Sequence, residues 1–265
     1  MLSSVHNDVS SLLPLRFSGL LVRIVIDEAH CVSTQGHDYR SSYLALRRLK
    51  SLFPSTPILA TTATAPASVI ADMLKILAMP KQTSPGDAAL PGTTVLFTSP
   101  LYRKNLHYSI VAKPNSPAAQ VQAIVDYIEK EHIDDLGIIY CLTRADCENV
   151  AKGVNELSSR IKAAVYHAQL DNDVKLKVQD RWRRKQIKVV VATNASFGLG
   201  IDRPDVRYVI HHSLPKSLSS FYQESGRAGR DGASSDCLLF WRAADASRIS
   251  TLIYEVSRAG ELQVR

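Results

Sequence analysis

The sequence predicts an α/β protein built on parallel sheets with helices on both faces, and three observations lead there. Apolar strand-like runs alternate with amphipathic segments almost throughout the 265 residues, the period switching expected when strands and helices take turns along a chain. Two of those runs, in "IVIDEAH" (24–30) and "VVVATNASFGLGIDRPDV" (189–206), end in polar residues, and open α/β sheets present ligands just beyond the carboxyl ends of their strands. Pro/Gly-rich breaks at 81–92 and 112–119 divide the pattern in two.

In the first part, strands are expected at 20–26, 57–61 and 94–98, with helical patterns at 42–52 and 67–77. The second part is cleaner, with strands at 136–141, 163–166, 187–192, 206–211 and 237–241 and helices in the gaps. The expected organisation is an incomplete first domain over 1–112, a linker at 113–119, a complete second domain over 120–245 and a helical tail over 246–265. Three strands make a meagre sheet for the first domain, whose usual opening of strand, Gly-rich turn and helix is missing from these residues. No G-x-x-x-x-G-K-S/T occurs in the sequence.

With 45% hydrophobic and 22% charged residues the chain is neither disordered nor fibrous. A net charge of +7 and a pI near 9.2 are compatible with a polyanionic partner. Cys31, Cys141, Cys147 and Cys237 form no C-x-x-C pair and have no His at zinc-site spacing, so free thiols in a reducing compartment are expected. No apolar run approaches the roughly 20 residues that span a bilayer, and the first residues lack a secretory signal, so a soluble intracellular protein is expected.

Four motifs carry chemistry. In "IVIDEAH", a strand delivers Asp27 and Glu28 to the sheet edge. An Asp there can hold the water shell of a nucleotide-bound magnesium ion, and a neighbouring Glu can deprotonate the attacking water. "ATTATA" (60–65) places small hydroxyl residues after a second strand, where they can hydrogen-bond carboxylates across the crevice. In the string from Val189 to Val206, Thr193, Gly198 and Gly200 suit close approach of phosphates. "YQESGRAGRDG" (222–232) offers Gln223, Arg227 and Arg230; on a helix the two guanidiniums, three apart, would share one side as donors to phosphate oxygens.

In this order the motifs resemble those of the superfamily 2 helicases, specifically the RecQ family of DNA helicases. "DEAHCVSTQGHDYR", "TTATA", "SPLYRKNLHY" (99–108), "GIIYCLTRADCENVA" (137–151), "AAVYHAQL" (163–170) and "QESGRAGRD" extend the resemblance over nearly the whole chain. It implies two RecA-like domains and ATP-driven movement along single-stranded or forked DNA from 3′ to 5′. Asp27 and Glu28 would hold magnesium, through water, and the attacking water; His30 would link the nucleotide site to DNA. Arg230, backed by Arg227, would be the arginine finger, supported by Gln223, with Gly200 and Asp202 also lining the ATP site. His37, Asp38, Arg40, Thr143, Arg144, His167 and Thr193 would face DNA. Other helicase modules or repair proteins would be partners, in the nucleus of a eukaryote or otherwise in the cytoplasm, and no membrane is involved.

The sequence departs from the family in three ways. The family's phosphate-binding Lys and adenine-reading Gln would lie before Met1, Gln35 stands where the family has Trp, and Ser196 adds one residue to its string. Zinc-binding and winged-helix modules found in many relatives are not among these residues, so no zinc is expected. Little or no ATP hydrolysis is expected of the isolated chain, and a non-catalytic nucleic-acid-binding module or a decayed helicase copy remain the alternatives.

Overall fold

The computed structural model describes residues 21–33, 41–63, 65–84, 86–193, 203–247 and 249–251. The chain divides into two compact units, Met1–Pro100 and Leu101–Arg265.

In the first unit, β1 (Ile24–Ile26) pairs in parallel with β2 (Ile58–Ala60). Between them lie a 3-10 turn (Ala29–Val32) and a 3-10 segment (Ser41–Arg48) that runs into the short α1 (Leu49–Leu52). After β2 comes α2 (Ala67–Ile76), which buries Val69 and Met73, four apart and therefore on one face. With Ile26, Ala29, Val32, Leu49, Phe53 and Leu77, Met73 forms a small one-sided core. On the strands themselves Val25 and Leu59, directly opposite in register, are exposed.

The strand expected at 94–98 does not form. Thr94 makes one parallel bridge to Gln82, and Val95, Leu96 and Phe97 stay exposed. Apolar character alone does not make a strand when no neighbouring ladder accepts its N–H and C=O groups.

The second unit contains β3 (Leu106–Ala112), α3 (Pro117–Glu131), β4 (Leu136–Cys141), α4 (Arg144–Leu157), β5 (Ala163–Tyr166), α5 (Asn172–Arg183), β6 (Val189–Thr193), β7 (Val206–His211), α6 (Leu218–Ser225) and β8 (Ser235–Trp241). Residues 243–247 and 249–251 are also helical. The six strands form a parallel sheet in the order β3-β8-β7-β4-β6-β5. Alternate residues of the central strands feed opposite faces, as strand geometry requires. Ile139, Val191 and Ile210 meet α3 and α4 through Ile124, Ile128, Val150 and Val154. Ile138, Val190 and Val209 join Val178 and Trp182 of α5 on the other side. Gly137 is required at its position, because a Cβ there would lie 2.0 Å from the ring of Tyr208.

The helix starts follow capping rules. Ser116 accepts from the Ala119 N–H ahead of Pro117, and Thr143 with Asp146 forms a reciprocal capping box on α4. The basic cluster at 181–185 is exposed apart from Trp182, which turns into the core.

The boundary between units falls after Pro100 and not at the expected linker of 113–119. The reason is β3, a strand the sequence pattern left within the first domain. All seven of its residues pair with β8, from Leu106 with Ser235 to Ala112 with Trp241. Among the described residues, no helix is long and apolar enough to cross a membrane.

Candidate functional site

The acidic motif of the first unit is shaped by the ends of its two strands. Backbone bonds from Thr61 N–H to Ile26 and from Ala29 N–H to Thr61, both 2.9 Å, clip the chain beyond β1 to the chain beyond β2. This brings the Thr61 hydroxyl to Asp27, where it donates to Oδ1 at 2.7 Å. The Glu28 N–H donates to the same oxygen at 2.9 Å. The Thr61 bond first, and the backbone bond second, hold the Asp27 carboxyl below its ordinary range. Hydrogen bonds to carboxylates across the crevice, expected of the "ATTATA" hydroxyls, are present here.

Glu28 has a left-handed backbone, with φ 48° and ψ 43°, which costs a residue bearing a Cβ about 1 kcal/mol or more. That conformation breaks the strand direction immediately after Asp27 and starts the 3-10 turn. His30 is buried in the turn, its Nδ1 2.8 Å from the Thr62 hydroxyl and 3.3 Å from Glu28 Oε2. Ser33 donates to Asp72 of α2 at 2.6 Å and anchors the turn's far end. Asp27, Glu28 and His30 are thus gathered around one Thr-Thr pair. His37, Asp38 and Arg40, with Gln35, lie outside the described residues.

No cluster of three or more His, Cys, Asp or Glu among the described residues is arranged to hold a metal directly. Asp27 suits a different mode. It is an exposed, ionised carboxylate, and magnesium tends to keep several of its waters and to meet protein through one or two carboxylates. The four cysteines are buried thiols that form no disulfide.

In the second unit the sheet order decides which motifs meet. β4, β6 and β5 are neighbours, so Thr143 and His167, just past β4 and β5, and Thr193, the last residue of β6, share one edge. The Thr143 hydroxyl is part of the α4 cap, 2.7 Å from Asp146. Arg144 is exposed at the first position of the helix, and the buried His167 lies 3.7 Å from Glu148. Gly200 and Asp202, with Gly198 and Ser196, fall outside the described residues.

The arginine motif is not helical, so the shared side that a helix would give its two guanidiniums does not apply. α6 carries Gln223 and stops at Ser225; Arg227, half-buried, and Arg230, exposed, lie on successive turns. Gly229 explains the break. Its φ is +55°, and a Cβ there would come within 2.4 Å of Asn105 Nδ2 and 2.6 Å of the Ala233 carbonyl, so only glycine fits. The N–H of Gly229 bonds to Val206 at 2.9 Å, tying the turns to β7.

Sequence reasoning missed the support around this motif. Glu224, buried, pairs with His211 Nε2 at 2.9 Å. The His211 ring stacks on Tyr140 of the adjacent β4, whose hydroxyl is pushed well up by burial, against the lowering effect of Arg227. Arg103 and Asn105 reach the turn carbonyls of Gly226 and Gly229. Both residues stand in the "SPLYRKNLHY" string, but their targets lie more than a hundred residues away and no local spacing reveals them.

A family model for the helicase conserved C-terminal domain matches residues 119–232. The chain is 43% identical to a putative ATP-dependent DNA helicase Q1 of Caenorhabditis briggsae, over 89% of this chain and 36% of that one. It is 44% identical to the RecQ-like DNA helicase BLM of Xenopus laevis, over 88% of this chain and 16% of the relative. It therefore spans about a third or less of the length of these relatives. In fold it is similar to S. cerevisiae Dbp5 bound to RNA and ADP BeF3, with a TM-score of 0.61 at 20% identity, over 93% of this chain and 61% of that one. A second likeness is to the Mycobacterium smegmatis helicase Lhr bound to ssDNA and AMP-PNP, with a TM-score of 0.59 at 24% identity, over 87% of this chain and 30% of that one. The parallel sheets, the acidic corner, the arginine turns and this identity over most of the sequence lead to one conclusion: the chain belongs to the RecQ-like helicases of superfamily 2.

Proposed function

We propose that the chain carries the motor segment of an ATP-dependent DNA helicase that moves from 3′ to 5′ on single-stranded or forked DNA. The observation that supports this most directly is the Asp27 corner, where Thr61 and the Glu28 amide keep a carboxylate ionised beside a Glu in a strained backbone. Strain of that kind at a strand end, held in place by its neighbours, is characteristic of functional residues.

Magnesium-bound ATP, when present, supplies the phosphoryl group and the metal's charge. Asp27 would hold the metal through its waters, as acceptor of their hydrogen bonds, and Glu28 would take the proton of the attacking water. The Glu28–His30–Thr62 contacts connect this carboxylate to the end of β2, a route by which DNA contact can influence hydrolysis. In the second unit, Arg230 and Arg227 act as donors to phosphate oxygens with Gln223 beside them. Thr143, Arg144, His167 and Thr193 contact the DNA backbone, which positions the strand without reading its sequence. The names of the relatives, an ATP-dependent DNA helicase Q1 and a RecQ-like DNA helicase, agree with this assignment.

The test is ATP hydrolysis by the purified chain with and without single-stranded DNA. Turnover is expected to be low, since no G-x-x-x-x-G-K-S/T stands in the sequence to grip the phosphates. A residual, DNA-stimulated rate that Glu28→Gln removes supports the proposal, and a rate indifferent to Glu28→Gln refutes it. A second proposal, a non-catalytic nucleic-acid-binding module, draws on the complete sheet that brings Thr143, His167 and Thr193 to one edge of the second unit. It predicts oligonucleotide binding that weakens steeply with salt in fluorescence anisotropy, with no Glu28-dependent hydrolysis.

A further inference from the structure

The arginine turn lacks the scaffold that usually orients functional side chains. It is neither helix nor strand, and Gly226, Gly229 and Gly232 occur within seven residues, so its backbone has more freedom to lose than the same segment without glycine. Besides the Gly229 bond to Val206 of β7 and the Arg207–Asp231 ion pair, what restricts it comes from the segment just before β3. The Tyr222 hydroxyl of α6 donates to the Leu101 carbonyl at 2.7 Å and fixes the start of that segment. Its end is fixed by the Ser235 N–H, which donates to the Asn105 carbonyl at 2.9 Å. Between these two points Arg103 Nη1 donates to the Gly226 carbonyl at 2.9 Å, and Nη2 donates to the Gly229 carbonyl. Asn105 Nδ2 donates to the Gly229 and Ala233 carbonyls, each at 2.8 Å.

The two carbonyls held by Arg103 have a specific meaning. Each belongs to the peptide unit whose nitrogen is that of the next residue, and those residues are Arg227 and Arg230. Because a peptide unit is planar, holding its oxygen restricts the nitrogen and Cα from which the following side chain departs. One guanidinium thus governs the departure points of both arginines. We propose that Arg103, with Asn105 as its second, is the positioning residue for the Arg227–Arg230 pair. The segment 101–105 is then a functional part of the arginine motif, although it lies far from it in sequence. This assignment rests on Arg227 and Arg230 acting as phosphate donors, as proposed above. Lys cannot replace Arg103, since a single ammonium on a flexible stem does not present the planar fork that spans two carbonyls.

Amide hydrogen exchange on the whole chain tests the clamp without any nucleotide. The reporters are the N–H groups of Ala228, Gly229 and Gly232, which bond to Ser225, Val206 and Gly229. In Arg103→Lys and in Asn105→Ala these amides are expected to exchange about tenfold faster or more, while amides of β4, β6 and β7 keep their protection. Unchanged exchange at the reporters would overturn the proposal, as would protection lost evenly over the unit, the outcome of a merely structural role. Residual ATP turnover supplies the second measurement. Arg103→Lys should lower kcat about tenfold at an unchanged KM, and Arg103→Lys combined with Arg230→Ala should be no slower than Arg230→Ala alone. Losses that multiply in the double variant would mean that Arg103 acts by another route. If Arg230→Ala does not change the turnover of the parent chain, the assignment of the arginines fails, and the exchange comparison, which needs no turnover, still decides whether Arg103 holds the turn.

Discussion

The first unit's two-stranded sheet leaves Val25 60% and Leu59 41% exposed on one face, whereas every residue of β4 in the second unit is buried between two layers of helices. The strained acidic corner sits on the sparse scaffold, and the arginine turns sit on the dense one. Chemistry and support are therefore distributed unequally. In the first unit a few hydrogen bonds from Thr61, Thr62 and Ser33 do the orienting. In the second, a packed sheet sets where motifs meet, and side chains such as Arg103 and Glu224 refine it.

The substitution with the largest expected effect probes the sparse side. Glu28→Gln should lower ATP turnover by about 10²–10⁴-fold, the usual contribution of a positioned general base, with little change in thermal stability. Steady-state hydrolysis and a melting curve check both halves. A collapse of stability instead would mean that the Glu28–His30 contact is structural and would break the contrast between units.

Next come the cores. Ile139→Ala, in the two-sided core, is expected to cost about 2–5 kcal/mol in urea unfolding. Ile26→Ala, in the one-sided core, should lie at or below the lower end of that range, because its surroundings can relax toward solvent. Equal costs would show the two scaffolds to be less different than their packing implies. Smaller again is Thr143→Ala, which removes the α4 cap and should cost about 1 kcal/mol in the same measurement.

The smallest effect is electrostatic. Thr61→Val removes the first of the two donors to Asp27, so its carboxyl should titrate at higher pH than in the parent, as followed by NMR of the side-chain carbon. The direction follows from linkage. A carboxyl depressed by folding contributes stability above the ordinary carboxylate range, and that stability disappears as pH falls through the lowered value. In Thr61→Val the contribution is smaller and its loss is complete at a higher pH. An unchanged titration would leave the Glu28 amide as the sole effective donor.

The second unit was the more legible in sequence for a physical reason. Buried parallel strands are apolar on both faces, so 136–141, 163–166 and 206–211 appear as continuous runs with the same bounds in the structure. β3 was missed because it is an edge strand of mixed pattern, with His107 and Ser109 between Leu106, Tyr108 and Ile110. The run at 94–98 misled in the opposite direction, being apolar without a partner. Asp27, Glu28, Arg227 and Arg230 could be picked out because motifs display them together. Their supports could not, since Thr61 with Asp27 and Arg103 with Gly226 are pairings that only the folded chain creates. The turn geometry at Arg227–Arg230 was not legible either, since it depends on Gly229, where tertiary contact with Asn105 leaves no room for a Cβ.

The pairing of β3 with β8 also sets an order of events. During synthesis Leu106–Ala112 leaves the ribosome before any other strand of its sheet, yet its one neighbour in that sheet, Ser235–Trp241, leaves last. Closure of such a long loop is slow, and until it occurs the backbone N–H and C=O groups of Leu106–Ala112 and the Leu106 side chain, which the folded unit buries, wait unpaired, the kind of surface that chaperones cover. Arg103 and Asn105 stand immediately before that strand, so the arginine turn acquires its shape only when the edge closes. Ordering of the arginine turn then waits on closure of that edge, and a nascent chain released early would carry the motif without its geometry.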